Sequence, residues 1–156
     1  MSEKTFDKLR EKAVKYLGLR RAKSSGQIRQ RLRRETSDEE LIEAVVAYLQ
    51  DIDYVNDRRA GQLMMKSFRG RRSRSRFAVQ YSLRQKGIPG NIAEELANSG
   101  PADHESAAEL IRSQFNSINE DDRQRASTLL RRRGYNYEVI TEVVNKCLAE
   151  NRSTQQ

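Results

Sequence analysis

Along most of this chain apolar residues recur at intervals of three and four, the spacing of one helix face. Phe6, Leu9, Ala13, Tyr16 and Leu17 form one such stripe. Leu41/Ile42, Val45/Val46 and Tyr48/Leu49 form a second, which Val139/Ile140, Val143/Val144 and Cys147/Leu148 repeat almost residue for residue. Sustained period-2 alternation, the mark of a half-buried strand, is absent from the sequence. Ser24-x-x-Gln27 and Ser37-x-x-Glu40 have the form of capping boxes, and Asn56, Asp103 and Asn136 stand where N-caps of later helices fall. Gly87 and Gly134 follow basic runs, as glycines do where a helix ends through positive φ. Together these marks predict nine short helices, near 5–19, 24–35, 38–51, 57–69, 75–86, 89–98, 104–118, 121–133 and 137–150.

The nine group in threes. Leu32, Leu83 and Leu130 are each followed nine residues later by Leu41, Ile92 and Val139, and thirteen residues later by Val45, Leu96 and Val143. Recurrence at a period near 50 residues signals a repeat array, in which no unit buries its apolar face alone. The expected fold is all-α: three tandem three-helix repeats of helix-turn-helix-like form, at 1–53, 54–100 and 101–151, with a polar tail at 152–156. The amount of apolar residue agrees with this. Only 58 of 156 residues are apolar when Gly is counted and Tyr is not, against about 45–50% in an ordinary domain. One thick core is therefore excluded, and an elongated, curved right-handed array with thin seams is expected.

No apolar run approaches the ~18 residues of a membrane span, and no apolar block follows the first residues as in a secretory signal. The single cysteine, Cys147, leaves no internal disulfide framework. A cytoplasmic monomer is the expectation.

Charge sharpens the picture. The net charge is +8, and it is uneven: +3 over residues 1–52, +6 over 53–99 and −1 over 100–156. Between Arg58 and Lys86 stand ten basic residues and no acid. A field of one sign at that density suits a polyanion.

Several segments carry a family resemblance. They are Ala13-x-x-Tyr16-Leu17, Ser24-x-x-Gln27-Ile28-x-x-x-Leu32 and the joining segment Tyr54-Val55-Asn56-Asp57. After them come Arg69 through Ala78-Val79 to Leu83-Arg-Gln-Lys86-Gly87-Ile88, then Leu129-Leu130-Arg-Arg-Arg133-Gly134-Tyr135 and Glu138-Val139-Ile140. In this order and spacing, over residues 5–150, the chain resembles the RecX family of bacterial recombination regulators. It departs from the family at Ala60-Gly61, where Phe-Ala is usual, and at Ser73-Arg74-Ser75-Arg76, where a Gly-x-Gly-Pro-like stretch is common. The resemblance implies a protein that binds the RecA recombinase and its DNA filament. It further implies inhibition of strand exchange, ATP hydrolysis and coprotease action in DNA repair, homologous recombination and the SOS response. It brings no catalytic residues, cofactor or metal.

Arg69, Arg71, Arg72, Arg74 and Arg76 are the leading candidates for filament or nucleic-acid contact, because guanidinium groups bind phosphate and carboxylate in bidentate fashion. Arg131, Arg132 and Arg133 at a helix C-terminus, and Arg20, Arg21 and Lys23 between the first two helices, are further candidates. Phe77 and Tyr81, four apart on one helix, are expected to pack in the core rather than to stack on bases, and Phe68 ends an apolar stripe. His104 lies between Asp103 and Glu105 with no second ligand nearby, and Cys147 falls on an apolar stripe, so an enzyme is not expected. The alternative function is direct DNA binding through helix-turn-helix units. The third helices begin Asp38-Glu39-Glu40, Gly90-Asn91 and Tyr137-Glu138; only the second lacks early acids, and an acidic leading turn meets phosphates badly. Weak, non-specific affinity for single- or double-stranded DNA is therefore expected, without base readout.

Overall fold

Residues 3–154 are described by the structure, a computed structural model. Through them run nine α-helices: α1 (Glu3–Leu17), α2 (Ser25–Leu32), α3 (Glu39–Asp51), α4 (Asp57–Met65), α5 (Arg76–Gln85), α6 (Gly90–Ser99), α7 (Asp103–Gln114), α8 (Arg123–Arg132) and α9 (Tyr137–Thr154). Short 3₁₀ turns occupy Gly70–Arg72 and Glu120–Asp122. The described residues contain no strand, so the all-α fold holds. Helix α9 continues through the first three residues of the expected tail, and residues 155–156 lie outside the described residues.

Several helices end earlier than expected, α4 and α7 by the most. Helix α4 stops at Met65 rather than near 69, and the Glu109 carboxylate takes the Gly70 N–H just beyond. Helix α7 stops at Gln114 rather than near 118, because Phe115 adopts an extended conformation (φ −128°, ψ 124°). That bend carries Ile118 into the core without a helix, which is why the stripe overran.

Helix starts follow the capping chemistry, with two corrections. Ser24 forms the full box with Gln27, and Asn56 and Asn136 accept the N–H groups of Arg59 and Val139. The start of α3 is capped by Asp38, not Ser37: the Asp38 carboxylate accepts from the Leu41 N–H. A carboxylate one position further on serves the same orphan donors, so the box slips by a residue. Asp103 does not cap its own helix α7, whose N-cap is Ala102. Its carboxylate reaches instead to the Arg76 N–H at the start of α5, 2.8 Å away.

The chain divides into two compact units, one reaching up to Met64 and including Ser82–Ala93, the other comprising Met65–Tyr81 and the chain from Glu94 on. In the first, α1, α2 and α3 close on Ile28, Leu32, Ile42, Val45 and Leu49, all fully buried. In the second, α7, α8 and α9 close on Leu110, Ile111, Ala126, Leu130 and Val144. Leu32, Leu83 and Leu130 are each 0% exposed, as their recurrence predicts.

One junction occurs in both units. In the first, the Ser24 hydroxyl donates to the Lys86 carbonyl (2.6 Å), and Asp57 accepts from the Ser25 N–H and hydroxyl (2.7 and 2.6 Å). In the second, the Ser75 N–H donates to the Arg133 carbonyl (3.0 Å), and Asp103 accepts from the Arg76 N–H. The partner turns end through Gly87 (φ 83°) and Gly134 (φ 91°), where a side chain would be strained. A Cβ on either glycine would lie 2.6 Å from the hydroxyl oxygen of Ser24 or Ser75 respectively, so the helix N-terminus and the glycine turn meet at backbone range.

Candidate functional site

The 3₁₀ turn at Gly70–Arg72 packs against α7, where Glu109 grips it. Its carboxylate accepts from the Arg69 guanidinium (3.2 Å) and the Gly70 N–H (3.0 Å). Burial alone would raise the Glu109 pKa, but the Gly70 N–H and Arg69 outweigh it and hold the carboxyl below its ordinary value. Beyond the turn, Arg133 at the end of α8 donates to the Arg71 carbonyl (2.6 Å) and reaches the Ser73 carbonyl at 3.3 Å.

These bonds bring together two of the three basic clusters picked out in the sequence, 69–76 and 131–133. Their members do different things. Arg71, Arg72, Arg131 and Arg132 are exposed. Arg69 is exposed but paired with Glu109. Arg74 lies half-buried over the Phe68 ring, 4.8 Å from its centroid. Burial, followed by the nearby charges of Arg133 and Arg72, lowers its pKa. Arg76 turns inward, where its guanidinium donates to the Gly100 carbonyl (2.6 Å) and its Nε is buried without a partner. Arg133 is likewise spent on carbonyls. Arg71, Arg72, Arg131 and Arg132 thus face solvent, while Arg69 and Arg133 bond the turn and its carboxylate anchor and Arg76 bonds the Gly100 carbonyl.

The third cluster belongs to the first unit. Arg21 (φ 48°) lays its guanidinium 3.6 Å from the Tyr54 ring centroid, Lys23 sits over Tyr16 at 5.1 Å, and Arg20 is exposed. Around Tyr16 the structure adds Lys12, Lys15 and Arg31, which line one shallow concavity. The sequence did not single these out, because they sit on two helices that meet only on folding. Glu35 bonds both Lys12 (2.7 Å) and Arg31 (3.0 Å), and those hydrogen bonds lower its own pKa.

Phe77 and Tyr81 are a correction. Instead of packing in the core they are 77% and 60% exposed. Val79 and Leu83 form the buried side of α5, roughly 200° around the helix from Phe77 and Tyr81. Four-residue spacing gives the period of a face but not its direction. His104 pairs with Glu142 at 2.6 Å, with both side chains about half exposed (54% and 55%). Cys147 is buried, and burial raises its thiol pKa, the opposite of the shift that activates a nucleophile. Among the described residues no cluster of His, Cys, Asp and Glu could hold a metal ion, and no helix is long and apolar enough to cross a membrane.

No protein-family model matches the chain. Individual relatives do. It is 33% identical to "Regulatory protein RecX" of Amycolatopsis mediterranei, over 96% of this chain and 90% of that one. It is 27% identical to the protein of the same name from Prosthecochloris aestuarii, over 95% and 99%. With the Clostridium acetobutylicum protein it shares 30% identity over 83% of this chain and 64% of that longer one. The fold matches the crystal structure of RecX from Lactobacillus salivarius with a TM-score of 0.72 at 19% identity, covering 91% of this chain and 96% of that one. With a full-length relative at one-third identity and a shared helical fold, this chain belongs to the RecX family of regulatory proteins.

Proposed function

We propose that this protein binds the RecA recombinase on its DNA filament and inhibits ATP hydrolysis, strand exchange and coprotease action, by contact rather than by a catalytic step. What supports this is that Arg71, Arg72, Arg131 and Arg132 are all exposed, on two segments of the second unit that the Arg133 bond to the Arg71 carbonyl ties together. A nucleoprotein filament offers phosphates and acidic side chains to such a surface, and arginine engages both. Arg69, Arg74, Arg76 and Arg133 hold the surface in place, while Arg20, Arg21 and Lys23 supply a second, smaller contact. The protein works as a cytoplasmic monomer, with weak non-specific affinity for naked DNA. The test is the single-stranded-DNA-dependent ATPase of RecA, titrated with this protein, beside a mobility shift on naked DNA. Inhibition at protein concentrations that leave naked DNA unshifted supports the reading. An unchanged ATPase overturns it.

We infer also that the chain is built as three repeats, 1–53, 54–100 and 101–151. The junction of Ser24, Asp57 and Gly87 corresponds to that of Ser75, Asp103 and Gly134. Each joins the second helix of one repeat to the start of the next repeat's first helix and the end of its second.

A further inference from the structure

Among the described residues of the second unit, the large hydrophobic side chains left exposed are Phe77, Tyr81 and Tyr137, and all three are aromatic. The first unit differs, exposing Val14, Leu19, Ile52 and Leu63 as well as Tyr48. A helix that turns two aromatic rings to water, on the face opposite its core, forgoes the burial that both would gain. Phe77 and Tyr81 lie four residues apart, about 6 Å along the helix axis. They lie within the stretch from 58 to 86 that has ten basic residues and no acid. Phe77 follows directly on the arginine-rich turn that carries Arg71 and Arg72.

We propose that Phe77 and Tyr81 form a stacking platform for unpaired nucleobases, with the phosphates of the same strand held by the exposed arginines. This deepens the function proposed above, because it rests on placing this surface against the filament and names single-stranded nucleic acid as the partner chemistry there. Every base presents a π face, so two rings in a cationic field bind a single strand without choosing its sequence. A protein partner is the weaker fit. A docking patch for a folded protein sets aromatic anchors among aliphatic neighbours that exclude water, and among the described residues of this unit no large aliphatic side chain is exposed.

The chain contains no tryptophan, so Phe77→Trp or Tyr81→Trp places a single reporter on an already exposed position. With a short oligo(dT) strand as probe, the indole fluorescence of each variant should be quenched by stacking, with a midpoint that moves to higher strand concentration as salt rises. A duplex of equal length, whose bases are not available, should quench little. Phe77→Ala and Tyr81→Ala in the otherwise unchanged chain should each weaken oligo(dT) binding about fivefold or more. Absence of quenching by oligo(dT) overturns the proposal. So does quenching that appears only on adding DNA-free RecA, which would make the rings a protein contact. The wild-type ATPase titration separates this from the broader reading: quenching without ATPase inhibition leaves the platform standing and removes the regulator, and inhibition without quenching does the reverse.

Discussion

Substituting Gly26 by alanine probes the close approach of α2 to the Gly87 turn. Gly26 lies in the first turn of α2, and a Cβ there would sit 2.5 Å from Gly87 Cα and 2.7 Å from the Gly87 carbonyl oxygen. Ordinary carbon contacts are about 3.5–4.0 Å. Both sides of the clash are backbone, so no rotamer change relieves it and the two segments must part by roughly an ångström. Overpacking of this kind costs about 1–3 kcal/mol. The separation also stretches the 2.6 Å bond from the Ser24 hydroxyl to the Lys86 carbonyl, a further loss of about 1 kcal/mol. Alanine returns at most about 1 kcal/mol in helix propensity. The balance is a destabilisation of about 2 kcal/mol, which in a chain of this length lowers Tm by roughly 4–8 °C. Gly18→Ala is the control: a Cβ there meets nothing within 4 Å, and only the φ of +66° resists it, at about 1 kcal/mol. Thermal and urea melts followed by circular dichroism distinguish the two. If Gly26→Ala melts with or above the wild type, the close approach of α2 to the Gly87 turn is wrong.

Further outcomes follow from single buried groups. Burial pushes the Tyr135 phenol up to about 12, although its hydrogen bond with Ser106 (2.7 Å) works the other way. Because the unfolded phenol titrates near 10.0, this stabilisation is intact below pH 10 and drains away as pH rises toward 12. About 2–3 kcal/mol of alkaline sensitivity between those limits should be present in urea melts of the wild type and absent from those of Tyr135→Phe. The Ser73 hydroxyl is fully buried without a hydrogen-bond partner, so Ser73→Ala should raise stability by about 1 kcal/mol, read as a higher urea midpoint at unchanged slope.

Much of the fold was legible because its signals are local. The Ser24-x-x-Gln27 box, the glycine turns at 87 and 134 and the leucines at 32, 83 and 130 each depend on neighbours within a turn or two. The slip from Ser37 to Asp38 shows the limit of such reading, since adjacent residues offer equivalent oxygens. The candidate site was legible as a composition and not as an arrangement. Arg72 and Arg76 look alike in the sequence, yet one is exposed and the other bonds the Gly100 carbonyl, 24 residues away. Arg133 reaches 62 residues back to Arg71, and Glu109 reaches 40 residues to Arg69. No spacing rule encodes contacts of that range. The direction of Phe77 and Tyr81 escaped for a related reason: the buried side of α5 is decided by what Val79 and Leu83 pack against, while the aromatic pair has a helical period of its own.

In the function proposed here, the exposed arginines of the second unit grip the filament. The most direct test is the salt dependence of binding to RecA assembled on single-stranded DNA, for the wild type and for R71S/R72S/R132S. All three side chains are exposed, so the variant should melt within about 0.5 kcal/mol of the wild type. If the three meet strand phosphates, binding weakens and the log–log salt slope shrinks by about 2, at roughly 0.7 per phosphate. A folded variant with the affinity and slope of the wild type would show that these arginines do not grip the filament.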